Sequence, residues 1–204
     1  MKTGARTLSR RFFAVGVACI LVAALAACTG RGGGYLAPDA AFTGRAQLGF
    51  SFSCEDPGGV NPSTGRLRIQ LTYADRGEGP TVMGPFSIHG TVDTIDPVVE
   101  SAICIGQNSA PGSNELIFLG RYRPTSTTRP AGFPATCPTR ATPTSPLCRF
   151  EVIVRDNDQN LAPSTGDFFS IQLSSTTTLT SQFDAATVFY TRAGLLAGGN
   201  LTVD

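Results

Sequence analysis

The densest group of side chains able to do chemistry is Asp156-Asn157-Asp158-Gln159-Asn160, followed by Asp167 after a Pro-Ser-Thr-Gly turn. Carboxylates and amides on one strand-to-strand connection could supply the oxygen ligands that calcium takes at about 2.3–2.6 Å. Asp156, Asp158 and Asp167 are therefore the candidate metal ligands, with calcium as the cofactor they would hold. The spacing is not that of an EF-hand loop, because no Gly stands at the sixth position and no Glu at the twelfth. Asx residues also favour turns by hydrogen-bonding their own backbone, so a polar turn competes with the calcium site. The same three carboxylates are the one dense set from which a glycan hydrolase could draw an acid and a base.

The single imidazole, His89, falls on the polar phase of an alternating stretch, and nothing in its surroundings places a nucleophile and a carboxylate beside it. G-x-S-x-G, H-E-x-x-H and a phosphate-binding glycine loop are all missing from the sequence, so no catalytic residue is assigned.

Six cysteines are the next resource. Cys19 lies in an apolar N-terminal run, and Cys28 ends the stretch Leu25-Ala26-Ala27-Cys28. Cys54, Cys104, Cys137 and Cys148 remain, an even number that reads as two disulfides in an exported chain. The short, turn-rich spacer favours Cys137 with Cys148, which leaves Cys54 with Cys104. Chain-entropy arguments give the short loop ~3 kcal/mol and the long one ~4 kcal/mol. A zinc site is the weaker reading, since no CxxC is present and His89 alone cannot complete a ligand set.

The elements that must position these residues are strands. Ala46, Leu48, Phe50, Phe52 and Cys54 alternate with polar residues, and Leu67, Ile69, Leu71 and Tyr73 repeat the pattern after a Gly/Pro break as a hairpin partner. Further strand candidates are Phe86–Val92, Val98–Ile105, Glu115–Arg123, Phe150–Val154, Phe169–Leu173, Val188–Tyr190 and Leu201–Val203. No stretch beyond the N-terminus keeps apolar residues at three- and four-residue spacing. About nine short strands without helices predict an antiparallel β-sandwich. Residues 124–147, with seven Thr and six Pro, read as a long surface excursion tied down by Cys137–Cys148. Arg66, Arg68 and Gln70, with Arg45 and Gln47 on the neighbouring strand, could form a basic-amide stripe for an acidic or sugar partner, although solvated strand faces look alike.

The N-terminus has the three zones of an export signal: Lys2, Arg6, Arg10 and Arg11, then the apolar run from Ala14, then small residues before Cys28. That run is too short to span ~30 Å of hydrocarbon. Leu-Ala-Ala-Cys resembles the lipobox of bacterial lipoproteins, in which the Cys sulfur takes a diacylglyceryl group before cleavage. Two acyl chains make such anchoring stable where one is marginal. Ser9-Arg10-Arg11-Phe12-Phe13 also resembles a twin-arginine export motif, and the positive zone of a general secretory signal reads equally well. Residues 1–27 are thus expected to be a signal peptide, 28–40 a glycine-rich flexible tether, and 41–204 the β-domain, held at the outer side of a cell membrane. Without residues 1–27 the chain carries 12 Arg, no Lys and 15 acids, a net charge of −3 that argues against nucleic-acid partners.

Gly44-Arg45-Ala46-Gln47-Leu48-Gly49-Phe50, the strand ending at Tyr73, and Phe86-Ser87-Ile88-His89-Gly90 resemble the opening of bacterial extracellular post-COAP domains. Val152 to Asp158, Gly166 to Ile171 and Gly198-Gly199-Asn200-Leu201 fit the same scheme, while residues 106–147 are longer than such domains need. The resemblance implies an exported immunoglobulin-like accessory module, with no established catalytic residues to carry over. The expected function is therefore a lipid-anchored binding or structural module of the envelope, meeting an envelope protein or glycan. The alternatives are an envelope hydrolase or a calcium-stabilised adhesion module.

Overall fold

The computed structural model describes residues 28–55, 66–82, 84–91, 114–126, 128–142, 145–157, 166–178 and 183–203. Nine strands account for most of them: β1 Cys28–Leu36, β2 Ala46–Glu55, β3 Arg66–Asp75, β4 Phe86–Thr91, β5 Glu115–Pro124, β6 Cys148–Arg155, β7 Phe168–Ser174, β8 Val188–Leu195 and β9 Gly198–Val203. One 3₁₀ turn, Ala185–Thr187, is capped by the Asp184 side chain accepting from the Ala186 amide. No helix among the described residues is long and apolar enough to cross a membrane.

The all-antiparallel reading holds, but hydrogen bonding joins the strands into one sheet of order β8-β7-β6-β5-β4-β3-β2-β1-β9. This differs from the two-sheet immunoglobulin-like sandwich that was expected. Each strand from β1 to β8 pairs with its sequence neighbour, so the connections are those of a meander. The sheet curls, because the two edge strands are consecutive in the chain and separated only by Leu196 and Ala197. Those two residues bridge the edges: the Leu196 amide donates to the Asp167 carbonyl and the Ala197 amide to the Tyr35 carbonyl.

Alternation decides which face goes inside. Leu48, Phe50 and Phe52 of β2, Ile69, Leu71 and Tyr73 of β3, and Phe150, Val152 and Val154 of β6 are all buried in one core. Rings from strands far apart in the sheet meet there: Phe50 and Phe118 at 5.5 Å between centroids, Tyr73 and Phe169 at 6.3 Å. An open flat sheet could not bring β3 against β7.

The segment expected to be a tether, 28–40, is corrected by the structure. Cys28–Leu36 is β1, hydrogen-bonded on both sides between β2 and β9. Gly32 and Gly34 are there because the β9 backbone comes too close for side chains, whereas a Cβ on Gly30 would meet the Leu116 side chain. A Cβ on Gly34 would lie 2.4 Å from the Gly198 carbonyl oxygen, and opposite it Gly199 has φ +114°. Composition suggested flexibility, whereas crowding at the seam of a curled sheet is the actual reason for glycine here. Of the nine expected strands, Val98–Ile105 lies outside the described residues.

The excursion is likewise more than a surface loop. Phe133, Cys137 and Leu147 are buried, and the Phe133 ring packs 5.1 Å from Phe86 and 5.3 Å from Phe189. Together with Phe42 and Val82 from the other connections at that end, Phe133 stops the mouth of the curled sheet. The expected Cys137–Cys148 disulfide is present and holds this plug.

Candidate functional site

The acidic connection is the first place to look. Asp156 and Asp167, at 1% and 0% exposure, are inside the protein. One Asp167 carboxylate oxygen accepts from the Leu201 amide at 2.7 Å and the other from the Asn157 amide at 3.2 Å. Asp167 therefore ties the start of β7 to β9, across the edges of the sheet. Asp156 donates its amide to the Asn114 carbonyl and anchors the end of β6. Asp158 lies outside the described residues, and among those described no set of three or more His, Cys, Asp or Glu is grouped as metal ligands would be. Of the carboxylates in this turn, that of Asp167 serves the backbone, accepting from the amides of Asn157 and Leu201.

The cysteines divide. Cys137 and Cys148 are bonded, with Cα atoms 5.3 Å apart. The ladder register sets Cys28 opposite Cys54 at one end of β1 and β2. Cys104 lies outside the described residues, so a Cys54–Cys104 bond does too.

His89 is exposed on the outer face of β4, beside Thr72 and Arg123 in register. It lines a shallow depression of about 260 Å³ with Gln47, Thr72, Ser87 and Thr125. Two members of the candidate basic-amide stripe are engaged elsewhere: Arg45 lies 4.1 Å over the Tyr35 ring, and the Gln47 side chain accepts from Arg76. Arg68 and Gln70 are exposed on β3 opposite Ser53 and Ser51.

A buried polar network, not foreseen from the sequence, sits below the stopped mouth. Arg192 of β8 and Asp75 of β3 form an ion pair at 2.7 Å, both about 1% exposed. Tyr190 also donates to the same Asp75 oxygen at 2.7 Å. Because that proton is committed, the 2.6 Å contact between the Tyr73 and Tyr190 hydroxyls has Tyr73 as donor. The other Arg192 nitrogen donates to the Ala37 and Gly44 carbonyls, which pins the connection between β1 and β2 over the core. Burial would lower the Arg192 guanidinium, but the Asp75 hydrogen bond and charge outweigh it and leave it above its usual value. Burial raises Tyr190 and Tyr73 well above the ordinary tyrosine range. Only an alternating strand signal at Tyr73 and Tyr190 pointed inward, and nothing in the sequence paired Asp75 with a residue more than a hundred positions away.

Two further depressions open at this same end, where the excursion meets β3, β4 and β5. The larger, about 570 Å³, is lined by Arg123, Thr125, Ser126, Thr139 and Arg140. The smaller, about 320 Å³, is lined by Asp75, Arg76, Ser126, Thr128 and Arg129. Ser126 borders both, so they adjoin.

This arrangement can bind: it offers exposed guanidinium and hydroxyl donors on a rigid frame. Compared with known proteins, the chain matches no family model, no curated protein and no solved structure.

Proposed function

We propose that the protein is a lipid-anchored binding module displayed on the outer side of a bacterial membrane. One observation supports this reading above others: the polarity of the meander. The strands β1 to β8 alternate in direction, so β1, β3, β5 and β7 all end, and β2, β4, β6 and β8 all begin, at the end opposite the start of β1. Cys28, the residue that the lipobox would acylate, stands at that start. The arginine-lined depressions stand at the far end, roughly 30 Å of strand away at 3.3 Å per residue. A domain held by acyl chains at Cys28 presents its excursion outward. It does so without a tether, so the module stands close upon the bilayer. The stretches that resemble post-COAP domains fall on β2, β3, β4, β6, β7 and β9.

The test is an intact mass of the membrane-extracted protein with and without reduction. The expected result is a diacylglyceryl-sized addition on the peptide starting at Cys28, and release of the Cys28→Ser protein from the membrane fraction. A Cys28 recovered in a disulfide, or membrane retention of Cys28→Ser, overturns the proposal.

A further inference from the structure

The two adjoining depressions beside the excursion concentrate positive charge in a chain that is otherwise acidic. Arg76, Arg123, Arg129 and Arg140 border them, contributed by the end of β3, the end of β5 and the excursion. These arginines are far apart in sequence, so no basic run betrays them. Arg129 is oriented by donating to the Cys137 carbonyl, and Arg76 by donating to Gln47. Arg123 and Arg140 are exposed and have no ion-pair or hydrogen-bond partner among the described residues. The one acid on the border, Asp75, is already neutralised: Arg192 and Tyr190 hold one oxygen, and the Gly77 amide donates to the other.

From this placement we propose that the joined depressions are a binding groove for an acidic polysaccharide. The inference rests on the reading of the protein as a displayed binding module and names its ligand class. The chemistry is specific to charge and hydroxyl groups. A guanidinium meets a carboxylate with two parallel hydrogen bonds, and its planar fork is pre-organised for that partner. Thr125, Ser126, Thr128 and Thr139 add hydroxyls that donate and accept, which suits the hydroxyls of sugar rings. Exposed aromatic rings on which nucleic-acid bases would stack are not part of the border. The disulfide Cys137–Cys148 and the buried Phe133 anchor the excursion, so the ordering cost of binding falls mainly on the exposed arginine side chains. Net charge of the chain without residues 1–27 is −3, so attraction of a polyanion must come from this local cluster and not from the whole molecule.

The experiment uses full-length protein extracted in detergent and polygalacturonate as the probe. Neutral dextran and phosphatidylglycerol vesicles form the other arms. Binding to polygalacturonate is expected, weakening steeply with salt, with no binding to dextran. Arg123→Ala with Arg140→Ala is expected to weaken binding at least tenfold, while Arg31→Ala, on the exposed face of β1, leaves it unchanged. The urea midpoint of each variant is measured alongside, and a double variant that keeps the parental midpoint is a fair test. Should that variant lose its midpoint, Arg140→Gln alone is read instead, with a threefold or larger loss expected. No binding to polygalacturonate, binding insensitive to these substitutions, or vesicle binding in its place each overturns the groove. None of those results bears on release of Cys28→Ser from the membrane, so the two proposals fail separately.

Discussion

The Arg192 guanidinium and the Asp75 carboxylate are 2.7 Å apart inside the protein, although their strands, β8 and β3, are separated by four others in the sheet. The pair crosses the interior and so records the curl of the sheet. It also reaches outward through Ala37 and Gly44 to hold a connection over the mouth.

Removing one partner should therefore be costly. Asp75→Asn or Arg192→Met leaves a buried charge unpaired, and a loss of about 3–5 kcal/mol is expected. Urea unfolding followed by tyrosine fluorescence measures it, and a change under 1 kcal/mol would count against the network as a structural lock.

Alkaline pH should unfold the protein through its buried phenols. Tyr73, Tyr122 and Tyr190 are all raised, chiefly by burial, from an ordinary value of 10.0. A raised folded value means that the neutral form is favoured in the native state. The stability this contributes is complete below pH 10 and declines above it, as the unfolded chain ionises while the folded one cannot. Each such phenol adds a slope of about 1.4 kcal/mol per pH unit above 10. Denaturant midpoints between pH 8 and 12 should fall accordingly, and Tyr122→Phe should make that fall shallower.

The glycines of β1 separate a strand from a tether in one measurement. Gly34→Ala would force a Cβ to within 2.4 Å of the Gly198 oxygen, and Gly199→Ala to within 2.2 Å of the Gly33 oxygen at a positive φ. Each should lower stability by about 2 kcal/mol or more, whereas a change in a solvated linker stays within about 0.5 kcal/mol. Thermal melts of the two variants decide between these outcomes.

Reduction should loosen the plug before the sheet. Opening Cys137–Cys148 removes a constraint of about 3 kcal/mol on the unfolded chain. Amide exchange at Phe133 and Cys137, whose amides donate to the Pro130 and Pro134 carbonyls, should quicken on adding a reductant. Exchange in β2 and β3 should change much less.

The period-two pattern at Leu48, Phe50 and Phe52 and at Ile69, Leu71 and Tyr73 was enough to identify strands, their inner faces and their pairing as a hairpin. It works because side chains of a strand alternate between two faces, and only one of those faces was buried. The spacing of Cys137 and Cys148 named their bond for a similar local reason. Gly30 to Gly34 misled because composition reports the absence of side chains but not its cause, which at Gly32 and Gly34 is a second backbone pressed against the first. Asp156 and Asp167 stood out as a polar turn, yet which group the Asp167 carboxylate serves depended on where β9 passes.

Local sequence thus determined what each segment is: an alternating strand, a turn, a disulfide loop. Tertiary structure alone decided that the strands form one curled sheet rather than two, that Asp75 meets Arg192, and that four scattered arginines border two adjoining depressions. The reason is physical. Alternation and turn chemistry act over a few residues, whereas sheet closure and charge clustering bring together positions up to a hundred or more residues apart, with no local pattern to announce them.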